Sequence, residues 1–122
     1  MKFSIQHAQD KPFTHDGLRE YFDYRDLGIF DATQGAAVMH VIRASQGSNA
    51  TGEWHRHEIN FQFVYVLKGW AIFEYEGHGE HKLVEGTCVH QPPNIRHREI
   101  CHSEDFELIE IVLPGSFKTV SA

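Results

Sequence analysis

Between residues 37 and 113 the chain is cut every few residues by turn-forming groups: Lys68-Gly69, Glu76-Gly77-His78-Gly79-Glu80, Glu85-Gly86 and Pro92-Pro93-Asn94. The segments between them are short and rich in Val, Ile, Phe and Tyr: residues 37–44, 54–67, 70–75, 81–84, 87–91, 95–101 and 106–113. None has the length and periodicity of an amphipathic helix. Short strands at this spacing predict an all-β sandwich or barrel. Segment 54–67 is long for one strand and is expected to contain a bend. Residues 1–36 read as an N-terminal arm, in which Leu18 to Tyr24 fits a helical turn or an edge strand, and Gln34-Gly35 turns into the first good strand.

A chain of 122 residues makes one domain with a single core. Its formal charge of −6 argues against a nucleic-acid partner, because phosphate contacts need clustered Lys and Arg. The longest basic cluster, Arg96-His97-Arg98, is large enough only for a small anion. Cys88 and Cys101 cannot form a disulfide framework and match no zinc-finger spacing, although one bond between them stays open. The first ten residues lack the apolar stretch of a signal peptide. No apolar run approaches the roughly 20 residues that span a bilayer. The expectation is a cytoplasmic protein with no membrane partner.

Ten residues are histidine, and their placement matters more than their number. His7, His15, His78, His81 and His102 lie in polar stretches. His55 and His57 lie in a strand-like segment, where alternate side chains share a face, so both point the same way. Two imidazoles on one strand make half of a transition-metal site, since each offers a neutral nitrogen. Such pairs also occur in strands that bind nothing, so further residues must decide.

Those residues follow. Gln62 comes after His57, then Gly69, and a second block runs Gly86, Pro92, Asn94, His97. With this spacing the chain resembles the cupin superfamily, whose motifs are G-x5-H-x-H-x(3,4)-E-x6-G and G-x5-P-x-G-x2-H-x3-N. The resemblance implies a double-stranded β-helix (jelly-roll) barrel with its core at about 37–113. It implies one divalent transition metal (Fe, Mn, Ni, Co, Zn or Cu) held by His55, His57, Gln62 and His97. Four positions depart from the motifs: Asn49 and Asn94 stand for glycines, Cys101 for the closing Asn, and Gln62 for the acidic ligand. Asn94 is tolerable because Asn accepts left-handed backbone. Gln62 leaves the ligand set neutral, which weakens binding of a dication but makes it a stronger Lewis acid. The alternative is a metal-free cavity in which the same histidines hold a ligand by hydrogen bonds.

Other residues carry weaker signals. Glu99 and Cys101 share the inward parity of His97 if that strand is regular. Glu99 is therefore a candidate general acid–base group, with a surface position after a bulge as the competing reading. His40 reads as a core histidine with a satisfied hydrogen bond, Glu58 as outward-facing, and Cys88 as a small buried residue. From Phe61 to Leu67 both faces are apolar apart from Gln62. One face fills the core, and the other needs the arm or a second chain to cover it. Cupins are commonly dimers, so the resemblance implies a homodimer. Its implied function is an enzyme acting on a small organic substrate, with dioxygenase chemistry first and isomerase or lyase chemistry next. A non-catalytic module that binds a small metabolite is the alternative.

Overall fold

The computed structural model of the chain describes residues 1–15, 21–45 and 52–122. A 3-10 turn at Ala8–Asp10 precedes β1 (Phe22–Asp26), α1 (Ile29–Ala32) and β2 (Val38–Ala44). Then come β3 (His55–Glu58), β4 (Phe61–Lys68), β5 (Trp70–Tyr75), β6 (Gly79–Val84), β7 (Cys88–His90), β8 (His97–His102), β9 (Glu107–Leu113) and β10 (Lys118–Ser121). The strands form two five-stranded antiparallel sheets, ordered β1-β2-β9-β4-β7 and β10-β3-β8-β5-β6.

The all-β jelly-roll layering is as expected, but the barrel is not. Among the described residues no ladder joins one sheet to the other, so the molecule is an open sandwich rather than a closed cylinder. The reason lies in how the chain crosses. From β2 through β5 each strand passes to the opposite sheet instead of pairing with its predecessor, so hydrogen-bonded continuity exists only within each sheet. The edge strands β7 and β10 are also short, three and four residues long. The segment expected as an arm supplies an edge strand: β1 pairs with β2 from Phe22↔Ala44 to Asp26↔His40. Leu18 and Asn49 lie outside the described residues.

The core fills the space between the sheets. Phe22, Ile42, Val64, Val66, Ala71, Leu83, Phe106 and Leu108 form its main cluster. Phe106 and Val66 are fully buried, each worth about 1.5–3 kcal/mol relative to exposure. Strand β4 alternates cleanly: Gln62, Val64 and Val66 point inward, while Phe61 and Tyr65 stay exposed.

The turns explain the motif residues. The bend expected in segment 54–67 falls at Ile59-Asn60, where buried Ile59 anchors the crossing and Asn60 N–H donates to the Leu113 carbonyl. That crossing puts His55 and His57 in one sheet and Gln62 in the other. Gly69 has φ +66° between β4 and β5, where a Cβ would run into the side chains of Ser103 and Asp105. Asn94 adopts φ +64° in place of the motif glycine. Its Oδ1 accepts from Arg56 Nη1 at 2.9 Å, and its N–H donates to the His57 carbonyl at 3.1 Å. The loop carrying the second motif is thereby docked on the strand carrying the first.

Strand β8 is not regular. Phe73 pairs with Glu99 and Ile72 with Cys101, so Ile100 is an extra residue, a β-bulge. The bulge breaks the expected parity. Glu99 is buried with His97, but it is His102, not Cys101, that next turns inward. Cys88 is exposed rather than buried, because β7 lies at a sheet edge, and both cysteines are free thiols.

Candidate metal centre

Strands β3 and β8 meet in the register His55↔His97, which sets the histidine pair of one beside the single histidine of the other. Ring centroids lie 4.2 Å apart for His55–His97, and 5.0 Å for both His55–His57 and His57–His97. One nitrogen from each ring lies within 4.8 Å of the other two. All three side chains are buried.

Hydrogen bonds fix the ring orientations. His55 Nδ1–H donates to the Glu53 carbonyl at 2.9 Å, and His97 Nδ1–H to the Ile95 carbonyl at 3.0 Å. A carbonyl can only accept, so in the neutral form of both rings the proton sits on Nδ1 and Nε2 carries the lone pair. His57 Nδ1 lies 2.8 Å from Thr119 Oγ1, a hydroxyl that can accept in the same way. Imidazoles oriented in this way can each turn an Nε2 lone pair to a divalent transition ion, and the donor set fits one such ion.

The other predicted residues lie around the same cavity, which has a volume of about 440 Å³ and is lined from both sheets. Gln62 faces it from the sheet opposite the histidines, 2% exposed. Its Nε2 donates to Glu110 Oε2 at 2.9 Å, which turns its Oε1 away from that carboxylate. Glu99 lines the cavity too and is 1% exposed, with Oε1 2.8 Å from His102 Nδ1. The surface reading of Glu99 is therefore wrong, because the bulge follows it rather than precedes it. His40 also lines the cavity, but its Nδ1 is buried without a hydrogen-bond partner among the described residues. Glu110 Oε1 lies 3.7 Å from it, within ion-pair range if the ring is protonated. Glu58 is exposed, as expected.

Several contributors escaped the sequence reading. Thr119 lies on β10, beyond the last strand expected. Glu110 lies on β9 between Leu108 and Val112, which are both buried. An acid sharing the parity of two core residues was the available signal. Tyr75 stacks against His97 with centroids 6.2 Å apart, and burial pushes its hydroxyl far above the usual tyrosine range, so it stays protonated.

The family model for the cupin domain matches residues 44–112. Among solved structures, the polyketide cyclase RemF from Streptomyces resistomycificus is similar with a TM-score of 0.79 and 16% identity, over 98% of this chain and 85% of that one. KdgF from Halomonas sp. has a TM-score of 0.73 and 19% identity, over 91% of this chain and 94% of that one. An RmlC-like cupin from Shewanella frigidimarina has a TM-score of 0.71 and 18% identity, over 93% and 92%. At these identities the likeness shows the fold alone. No curated protein matches the sequence. The matched segment contains the three clustered histidines and the two motif glycines, Gly69 and Gly86, and the chain belongs to the cupin superfamily.

Proposed function

We propose that the protein is a metal-dependent enzyme that moves a proton on a small oxygenated substrate, as an isomerase or lyase does. One divalent ion of Fe, Mn, Ni, Co, Zn or Cu is held by His55, His57, His97 and Gln62 Oε1. The observation that carries the reading is the placement of Glu110 and His40 on the wall of the cavity that the three imidazoles also line. A bound ion supplies Lewis acidity to a substrate oxygen. Glu110 Oε2 is occupied by Gln62, while Oε1 and His40 Nδ1 offer atoms at which a proton can be taken up and returned. A module that only binds its ligand has no need of such a pair. Oxygen insertion, first among the chemistries implied by the motifs, does not call for it either.

The test is turnover in D₂O. Metal-loaded protein is incubated with small hydroxy and keto acids and followed by proton NMR. Elemental analysis is expected to give about one transition ion per chain. A substrate C–H is expected to exchange with solvent deuterium, and the exchange to be lost on chelation and in Glu110→Gln. Oxygen consumption without exchange, or exchange indifferent to metal, would contradict the reading.

The outer face of β4 supports a homodimer. Phe61, Phe63 and Tyr65 lie opposite Leu113, Ile111 and Ile109 of β9, and Phe61, Tyr65 and Leu113 are exposed. Strand β1 extends this sheet at its far edge and does not cover that patch. A second copy would bury it, at about 25 cal/mol per Å² of apolar area. Light scattering is expected to give twice the chain mass at micromolar concentration, and Tyr65→Glu to halve it. A monomeric wild type would reject the dimer. We propose a cytoplasmic location for the protein. No helix among the described residues is long and apolar enough to cross a membrane.

A further inference from the structure

The bulge at Ile100 does more than interrupt a ladder. In a regular strand residues three apart face opposite sides, so Glu99 and His102 could not both point inward. The extra residue brings them to the same side, both at most 3% exposed, with Glu99 Oε1 2.8 Å from His102 Nδ1. The His102 ring is itself packed against Phe22 and Phe106, with centroids 5.5 and 6.1 Å away, so the carboxyl it holds is fixed in direction.

One atom of this pair is left over. Glu99 Oε2 is buried and has no hydrogen-bond partner among the described residues, and Glu99 lines the cavity. Whether the shared proton sits on His102 Nδ1 or on Glu99 Oε1, Oε2 remains an acceptor. A buried acceptor without a donor is rare in folded proteins and costs stability, so a donor is expected to reach it from the cavity.

We infer that Glu99 Oε2 is the acceptor for a hydroxyl group of the bound substrate, in a subsite next to the metal centre. This rests on the metal reading proposed above. Glu99 is two residues along β8 from His97, which separates their backbones by about 6.5–7 Å. A ligand with one oxygen at the three histidines therefore needs its hydroxyl a few bonds further along. An uncharged O–H suits the site better than an ammonium group, which a neighbouring dication would repel. The substrate class is thus a small acid or carbonyl compound bearing a hydroxyl several atoms from its metal-binding end.

The experiment uses ω-hydroxycarboxylates as probes, from 3-hydroxypropanoate to 5-hydroxypentanoate, each against its parent acid without the hydroxyl. Affinities are measured by calorimetry on cobalt-loaded and metal-free protein. In wild type, the hydroxylated member of at least one pair is expected to bind about five- to tenfold more tightly. Glu99→Gln can put an N–H where Oε2 stood and is expected to abolish that preference while leaving the cobalt absorption bands unchanged. Glu99→Asp keeps the acceptor but withdraws it by one methylene, and is expected to shift the preference to the next longer probe. Loss of packing alone would not produce that shift, and the wild-type ratios and Glu99→Asp still decide if Glu99→Gln does not fold. Equal affinities within every wild-type pair, no binding of any probe, or a preference that survives Glu99→Gln would overturn the inference. Absence of cobalt bands would instead overturn the metal reading, and the ratios in metal-free protein would still decide the subsite.

Discussion

Replacing His57 with alanine is expected to lower the affinity for Co(II) or Zn(II) by about 100-fold or more, because it removes one of three converging imidazoles. Thr119→Val is expected to have a smaller effect in the same direction, about tenfold. It leaves the His57 ring in place but removes the oxygen 2.8 Å from Nδ1 that can accept from the tautomer with its lone pair on Nε2. Competition with a chromophoric chelator reads both variants. The order matters as much as the size: wild type, then Thr119→Val, then His57→Ala. If Thr119→Val matched wild type, the hydroxyl would have no part in preparing the site. If His57→Ala matched wild type, the three-histidine centre itself would be wrong.

The second large effect concerns Gln62. From the motif alone, a glutamate at this position restores the family's acidic ligand and should only help a cation bind. The structure adds Glu110, a partly buried acid whose Oε2 accepts from the buried Gln62 Nε2 at 2.9 Å. Gln62→Glu removes that donor and sets two carboxylates against each other. It is expected to destabilise the metal-free protein by about 2–4 kcal/mol, measured by urea unfolding in the presence of a chelator. The exchange Gln62→Glu with Glu110→Gln restores a donor and an acceptor across the same gap and should recover most of that loss, a coupling that a double-mutant cycle reads directly. A single variant as stable as wild type would mean that the 2.9 Å contact contributes nothing. Adding metal should offset part of the penalty only if position 62 reaches the ion, so the same series reports on Gln62 as a ligand.

Much of this architecture was legible in the sequence because its signals are local. The turns at Gly69, Gly86 and Asn94 are where the backbone takes positive φ, a conformation that Gly and Asn accept most readily. His55 and His57 share a face because alternation on a strand is a property of the backbone. Closure into a barrel was not legible, since it depends on whether edge strands far apart in sequence pair. The bulge at Ile100 was missed for a related reason. Neither Ile100 nor its neighbours mark it, and only the pairing of β5 with β8 reveals that one residue is extra. That single residue decides that Glu99 and His102, rather than Glu99 and Cys101, are the buried pair that turns inward. Glu110 shares the parity of buried Leu108 and Val112, but it lies beyond both motif blocks, where alternation is its one signal. Thr119 carried the weakest signal, since the four-residue strand that bears it becomes a strand only by pairing with β3.

One divalent ion held by three imidazoles is the centre of the proposed function. X-ray absorption at the cobalt edge of Co(II)-loaded protein measures this directly, because imidazole rings scatter in a pattern that water and carboxylate do not. Wild type is expected to show three imidazole nitrogens at about 2.0–2.1 Å, and His57→Ala to show two. A first shell of water and carboxylate oxygens, or an imidazole count unchanged in His57→Ala, would contradict it.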